Sequence, residues 1–390
     1  MGKSPLARRV AEFGTTIFTE MSALALAHQA VNLGQGYPDF DGPEAIKEAA
    51  VQAIRSGHNQ YAVMSGAADL RQAIAGHAAR FYGQTLNPDS EITVTSGATE
   101  AIFAALMGLV DPGDEVIVIE PFYDSYVPAV VMAGGVPIFV PLRGPDWHLD
   151  PDELTAAFNN RTRAVILNTP HNPSGKVFSR EELENLAGLC QKWKALCIAD
   201  EVYEHIVFSP ARHIRIATLP GMWERTVTIS SHGKTFSFTG WKLGWAIAPS
   251  ELTAGVRRAH QFITFSSGSP LQAAAAHALG LDDGYFRSLA AEYQTRRDYL
   301  ARALSATGLE VIPPQGTYFI MTDISPLGYE DDVQFCRWLT TEIGVAAIPP
   351  SAFYSEAHKG LGRRYARFAF CKTQATLERA AERLERASRK

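Results

Sequence analysis

From Glu91 to about Gly280 the chain alternates short apolar runs with longer amphipathic stretches. Ile92 to Thr95, Glu115 to Ile119, Val136 to Val140, Ala164 to Asn168 and Leu196 to Ala199 read as buried strands, being short and rich in β-branched residues. Between them apolar residues recur at helical spacing, from Gly97 to Val110, Pro121 to Ala133, Asp150 to Phe158 and Ser179 to Lys194. Asp150 serves as an N-cap, and Ser179 with Glu182 forms a capping box. Thr169-Pro170-His171-Asn172-Pro173-Ser174-Gly175 carries too many prolines and glycines for regular structure. Two more strands, Thr226 to Ser230 and Trp241 to Ala248, flank a polar loop. Ser250 is expected to cap a helix to about Ile263, and Leu271 to Leu279 reads as helical. Strands alternating with helices require right-handed crossovers, so the pattern predicts an α/β fold with a mostly parallel sheet.

The flanks differ in texture. Residues 1 to 30 read as an arm with a short helix, and Val31 to Phe40 as a glycine-punctuated loop that fits no phosphate-loop pattern. Glu44 to Ser56 and Ala67 to Phe81 are helical, with Asn59-Gln60-Tyr61 in a loop between them. From about Tyr285 a long charged helix (Phe286 to Ala306) leads to short strands near Glu310, Thr317 and Arg367. The helices Val333 to Glu342 and Thr376 to Arg386 accompany them. The expected division is an arm with part of a small domain (1–43), a large domain (44–284) and a small α+β domain (285–390). There are no internal repeats.

Composition removes several classes of function. A net charge of −5, with 46% apolar and 20% charged residues, describes an ordinary globular protein without the basic face of a nucleic-acid binder. No apolar run reaches the ~18 residues of a membrane helix. The first residues lack the apolar core of a signal peptide, and Leu6 breaks the myristoylation pattern. Cys190, Cys197, Cys336 and Cys371 lie in apolar segments without a CxxC pair, as buried free thiols do in a reducing cytoplasm. No histidine spacing suggests a metal site.

Chemistry collects where the strands end, which is where open parallel sheets bind ligands. Those ends carry Gly97-Ala98-Thr99, Tyr123, Asn172, Asp200 with Tyr203, and Ser231 with Lys234. Lys234 lies in a nearly charge-free segment, where desolvation would favour the neutral amine that attacks carbonyls; the plain alternative is a loop lysine reaching for water. Ser231-His232-Gly233-Lys234 also fits the S-x-x-K motif of acyl-transferring serine enzymes, but the companion S-D-N and K-T-G tripeptides are missing. Gly97-Ala98-Thr99 offers free N–H groups at a helix start, and Ser231 and Lys242 add a hydroxyl and a charge, so an anion such as phosphate fits. Asp200, ending a buried strand, needs a cationic partner, which a protonated ring nitrogen would supply. Tyr123 suits stacking on a flat ring, and Asn172 and Tyr203 suit a phenolic oxygen. Phosphate, pyridinium, phenolate and aldehyde together describe pyridoxal 5'-phosphate, PLP.

The ordered motifs SGATE (96–100), PFYDSY (121–126), PHNPSGK (170–176), DEVY (200–203), SHGKTFSFTGWKLGW (231–245) and RFAF (367–370) resemble the class I aminotransferases of PLP fold type I, over essentially the whole chain. VNLGQGYPDF and NQY are similar to the branch holding kynurenine, glutamine, methionine and N-succinyldiaminopimelate aminotransferases. The resemblance implies a seven-stranded central sheet sandwiched by helices and a cytoplasmic homodimer with shared sites. It also implies a ping-pong transfer of the amino group from an L-amino acid to a 2-oxo acid. Lys234 would form the Schiff base and shuttle the proton, and Asp200 would keep the ring nitrogen protonated. Tyr203 and Asn172 would bond the phenolic oxygen, and Tyr123 would stack on the ring. Ala98, Thr99, Ser231 and Lys242 would hold the phosphate, joined by Tyr61 of the second subunit. Arg367 would clamp the substrate carboxylate, Gly36 would lie against the substrate backbone and Phe18 would line the side-chain pocket. Kynurenine-, methionine- or glutamine-type specificity is expected. N-succinyl-LL-diaminopimelate transamination is the alternative, and β-elimination from cysteine conjugates a further one. A PLP-binding transcription regulator would need a DNA-binding domain ahead of the main fold, where about 40 residues stand.

Overall fold

The computed structural model describes residues 5–387; the outermost residues of the arm and of the basic tail lie outside that range. The apolar runs of the central region build one eight-stranded sheet. In spatial order its strands are Ile92–Thr95, Gly244–Ile247, Thr226–Ser231, Leu196–Asp200, Thr162–Asn168, Glu115–Glu120, Val136–Arg143 and His148–Leu149. The strand Gly244–Ile247 runs against both neighbours. That reversal returns Ile92–Thr95 to the common direction, so its carboxyl end shares a rim with the parallel strands.

The eighth strand corrects the expectation of seven. Val136 continues extended to Arg143, past the expected end at Val140, and the two-residue strand His148–Leu149 folds back on it in antiparallel register. The other differences sit at polar boundaries. Trp241 to Leu243 is not strand: Thr239–Trp241 is a 3-10 turn and Lys242 takes a left-handed conformation (φ 52°). The polar loop before it holds a short helix, His232–Thr235. The helix expected from Pro121 begins at Tyr126, and Ser250 is the first helical residue, not the cap. Asp150 and the Ser179–Glu182 capping box cap their helices as read.

Helices cover both faces. Ala101, Ala104 and Ala105 of the helix Gly97–Leu109 are buried in one apolar core with Ile166, Ile198 and Ile229. Leu183, Leu186 and Cys190 belong to the core on the other face. All four cysteines are free and buried.

Beyond Asp283–Ser305 stands a three-stranded antiparallel sheet, Glu310–Ile312, Phe319–Asp323 and Tyr365–Ala369. The arm belongs with it: Val31–Asn32 pairs in parallel with Val345–Ala346, and Met21, Val31 and Leu33 share a core with Phe319, Phe368 and Leu377. The glycine-punctuated loop that follows Leu33 is thereby carried to the rim of the large sheet.

Candidate active site

The rim forms a cleft lined by Gly97, Ala98, Thr99, Tyr123, Asn172, Asp200, Tyr203, Ser231, Lys234 and Lys242. Ten of the fourteen residues named from the sequence therefore share one wall. Arg367, Gly36 and Phe18 stand at its mouth, and Tyr61 stands apart.

Each side chain owes its place to a strand end. Gly244 lies opposite Thr95 on one side and Ser231 on the other. A Cβ added at Gly244 would lie 2.6 Å from the Gly97 carbonyl carbon and 2.7 Å from the Ala98 nitrogen, so glycine is what lets the helix Gly97–Leu109 start against the sheet. The first-turn N–H groups of that helix, at Ala98 and Thr99, have no carbonyl one turn back to bond. Lys242 Nζ lies 3.4 Å from Thr99 Oγ1, and Ser231, buried, ends its own strand beside them. A hydroxyl, an ammonium and two free N–H groups around one space form an anion cradle.

Lys234 is part-buried, with its Nζ 3.4 Å from the Gly36 carbonyl and 5.6 Å from the rings of Tyr203 and Tyr318. Burial pulls its amine down from 10.5 to about 8, against weaker support from Cys371 and Asp200. Asp200, also buried, is pushed up by burial. Its bonding partners are the Tyr126 hydroxyl, 2.6 Å from Oδ2, and the Val202 N–H, 3.3 Å from Oδ1. No hydrogen-bonded cation balances it among the described residues. Tyr203 stacks edge-on to Tyr318 at 5.1 Å. Burial pushes Tyr123 up to about 12.

Arg367 is buried at the mouth. It donates to Asn172 Oδ1 (3.0 Å) and to the Gly34 carbonyl (2.8 Å), while its Nε has no partner. Phe319, Phe18 and Phe353 surround the guanidinium at 4.1, 5.1 and 5.3 Å from their ring centres. Burial lowers it to about 10. The Gly34–Tyr37 loop is pinned carbonyl by carbonyl: Gly34 by Arg367, Gln35 and Tyr37 by Lys372, and Gly36 by Lys234 and the Tyr318 hydroxyl. A Cβ at Gly36 would meet Phe319 at 2.6 Å.

Tyr61 is 85% exposed, edge-on to the half-exposed Phe265, and Val63 and Phe262 are exposed with it. Nothing in its own chain brings it into the cleft. Sequence reasoning also passed over Tyr126, Tyr318, Phe319, Phe353 and Asp124. Tyr126 carried a usable signal, three residues beyond Tyr123 in PFYDSY. The others become neighbours of Arg367 and Lys234 only through tertiary packing. Behind the wall, Glu201 and Glu204 hold the buried Arg215 at 3.0 and 2.8 Å, and Glu204 also accepts from Ser230 (2.5 Å). The turn that follows Asp200 spaces these groups by three residues, so Asp200 and Tyr203 line the cleft while the two glutamates bond Arg215 behind it.

The donor set fits PLP: an anion cradle, a buried carboxylate without a bonded cation, a ring for stacking and a low-pKa lysine lie around one cleft. A family model for class I and II aminotransferases matches residues 28–384. A probable N-succinyldiaminopimelate aminotransferase of Mycobacterium tuberculosis is 48% identical over 384 residues, spanning 96% of this chain and 97% of that protein. Human kynurenine–oxoglutarate transaminase 3 is 43% identical over 404 residues, spanning 96% and 89%. A solved methionine aminotransferase of Escherichia coli superposes with a TM-score of 0.94 at 45% identity, covering 99% of this chain and 100% of that one.

Proposed function

Because this chain belongs to the class I and II aminotransferases and is a PLP-dependent amino-acid transaminase, we propose that its amino donors carry neutral, apolar or aromatic side chains, of the methionine and kynurenine type. The observation that supports this is the cage of Phe18, Phe319 and Phe353 around Arg367. The charge beside that cage is negative: Asp124, part-buried, lies within the field of Arg367. A distal carboxylate entering there would meet a like charge and apolar walls. The second reading, N-succinyl-LL-diaminopimelate, rests on the 48% identity to the mycobacterial protein.

The geometry supports the following residue roles. When bound, PLP supplies an electron sink that stabilises negative charge at the substrate Cα. Lys234, neutral in an appreciable fraction near pH 7 because desolvation lowers its amine, would hold the cofactor through its aldehyde and would move the proton at the substrate Cα. Asp200 would hold the ring nitrogen. Tyr123 covers the ring, and Tyr203 and Asn172 take the phenolic oxygen. Ala98, Thr99, Ser231 and Lys242 hold the phosphate. Arg367 receives the substrate carboxylate, with its unpartnered Nε among the donors. Gly36 leaves room for the substrate backbone, and Phe18 closes the side-chain pocket.

The reading includes a cytoplasmic homodimer in which Tyr61, exposed in one subunit, reaches the phosphate of the other. It also includes a PLP-binding body of residues 44–284, with 285–390 and the arm 1–43 closing over substrate.

The test is a half-reaction titration. The PLP-loaded protein is mixed in turn with methionine, glutamine, phenylalanine, kynurenine and N-succinyl-LL-diaminopimelate while its visible band is followed. Bleaching by methionine and the aromatic donors is expected. Bleaching by the succinylated donor alone would replace this specificity with the second reading.

A further inference from the structure

Asp200 is served by a residue that the cofactor chemistry does not require. Tyr126 opens the helix Tyr126–Met132 and is 3% exposed. Its hydroxyl lies 2.6 Å from Asp200 Oδ2, the shorter of the two hydrogen bonds to that carboxylate, and its ring stands edge-on to Tyr123 with centroids 5.7 Å apart. One buried phenol therefore touches both the group facing the ring nitrogen and the ring that covers the cofactor. We propose that Tyr126 is a positioning residue that fixes the Asp200 carboxylate and keeps the shared proton on the cofactor ring nitrogen. The proposal rests on the reading that Asp200 faces that nitrogen.

The argument is one of proton balance. An ionised carboxylate has about four acceptor sites. Tyr126 takes one on Oδ2 and the Val202 N–H takes one on Oδ1, which fixes the carboxylate plane and leaves acceptor capacity toward the cleft. A phenol donating to a carboxylate stabilises the ionised form and makes it a weaker base. Burial acts the other way, raising the carboxyl and favouring a proton on Asp200. Without the phenol, the proton between Asp200 and a pyridine nitrogen shifts toward Asp200. A neutral ring is a poorer electron sink. Tyr126 itself stays protonated, because burial and Asp200 both push it well above 10.0. It is a donor at every working pH.

The decisive measurement is the 15N resonance of PLP labelled at its ring nitrogen, bound to the full-length protein. Three variants are compared with wild type: Tyr126→Phe, Asp200→Asn, and 3-fluorotyrosine at position 126. In Tyr126→Phe the resonance should move toward that of an unprotonated pyridine. kcat should fall about tenfold to a hundredfold, the loss expected for one hydrogen bond to a charged group, with KM for the amino acid unchanged. Fluorotyrosine keeps the shape and donates more strongly, so its resonance should stay with wild type or move the opposite way. It also decides the matter if Tyr126→Phe does not fold. If Asp200→Asn moves the resonance and neither Tyr126 variant does, Tyr126 only packs and the proposal is overturned. If Asp200→Asn leaves the nitrogen protonated, the assignment of Asp200 falls, and the positioning role falls with it.

Discussion

Replacing Lys234 by methionine should stabilise the PLP-free protein near neutral pH, and the gain should disappear in alkali. The lysine is part-buried at the floor of the cleft, and its amine is lowered from 10.5 to about 8, chiefly by desolvation. Below about pH 8 the amine is charged in both folded and unfolded chains, so the folded state carries the whole desolvation cost. Between about 8 and 10.5 the unfolded chain still binds the proton while the folded chain has released it, so stability rises with pH through that window. Above it the amine is neutral in both states and the cost is gone. A fall of 10.5 − 8, at about 1.36 kcal/mol per pH unit, gives a penalty of about 3 kcal/mol. Methionine has similar length, carries no charge and gives up only the long 3.4 Å contact to the Gly36 carbonyl. With an unfolding entropy of about 2.1 cal/mol/K per residue, a chain of 390 residues converts that penalty to a Tm difference of about 4 °C. The assay is thermal unfolding of both PLP-free proteins from about pH 6.5 to about pH 11, reported as the difference between them so that other titrations cancel. A variant that is no more stable than wild type at pH 7, or a difference that stays constant across the range, would refute the reasoning.

Lys234→Ala should fold and still take PLP into the cleft, but without the covalent link and without transamination; appreciable turnover would remove the lysine from its role. Arg367→Lys should raise KM for amino acids about a hundredfold, since an ammonium cannot reproduce the fork that bonds Asn172 and Gly34. Equilibrium dialysis should find its PLP affinity little changed. Gly244→Ala forces a Cβ to within 2.7 Å of the Ala98 nitrogen and should weaken PLP binding about tenfold, by opening the anion cradle, while costing about 1–3 kcal/mol of stability. A titration of cofactor uptake together with a thermal melt checks both.

The rim was legible because most of its residues follow an apolar strand or the turn after it, and strand ends converge in this topology; Lys242 instead precedes Gly244–Ile247. Asp200 and Tyr203 could be placed together from a handful of consecutive positions. Arg367 could be named only through the family motif. Taken alone it is a strand arginine, and its aromatic cage draws Phe18, Phe319 and Phe353 from three distant segments. The missed edge strand had a different cause. His148–Leu149 is too short to show periodicity and exists only because Val136–Arg143 offers it a partner. The late start of the strand within the Trp241 to Ala248 run, at Gly244, was hidden by the apolar composition of the run. Leu243 is buried like a strand residue although the backbone at Lys242 is left-handed. Tyr61 marks another limit, since no pattern within one chain says what meets an exposed aromatic.

The pinned carbonyls of the Gly34–Tyr37 loop make the loop a rival of the substrate. Arg367 spends one terminal nitrogen on Gly34 and the other on Asn172, and Lys234 points at Gly36. A ligand carboxylate could still take the unpartnered Nε and the second hydrogen of a terminal nitrogen, sharing the guanidinium with Gly34. Lys234 leaves Gly36 when it turns to the cofactor. On the proposed roles the loop would lose Lys234 to the cofactor and share Arg367 with a carboxylate, which couples the hold on residues 34–37 to the occupancy of the cleft.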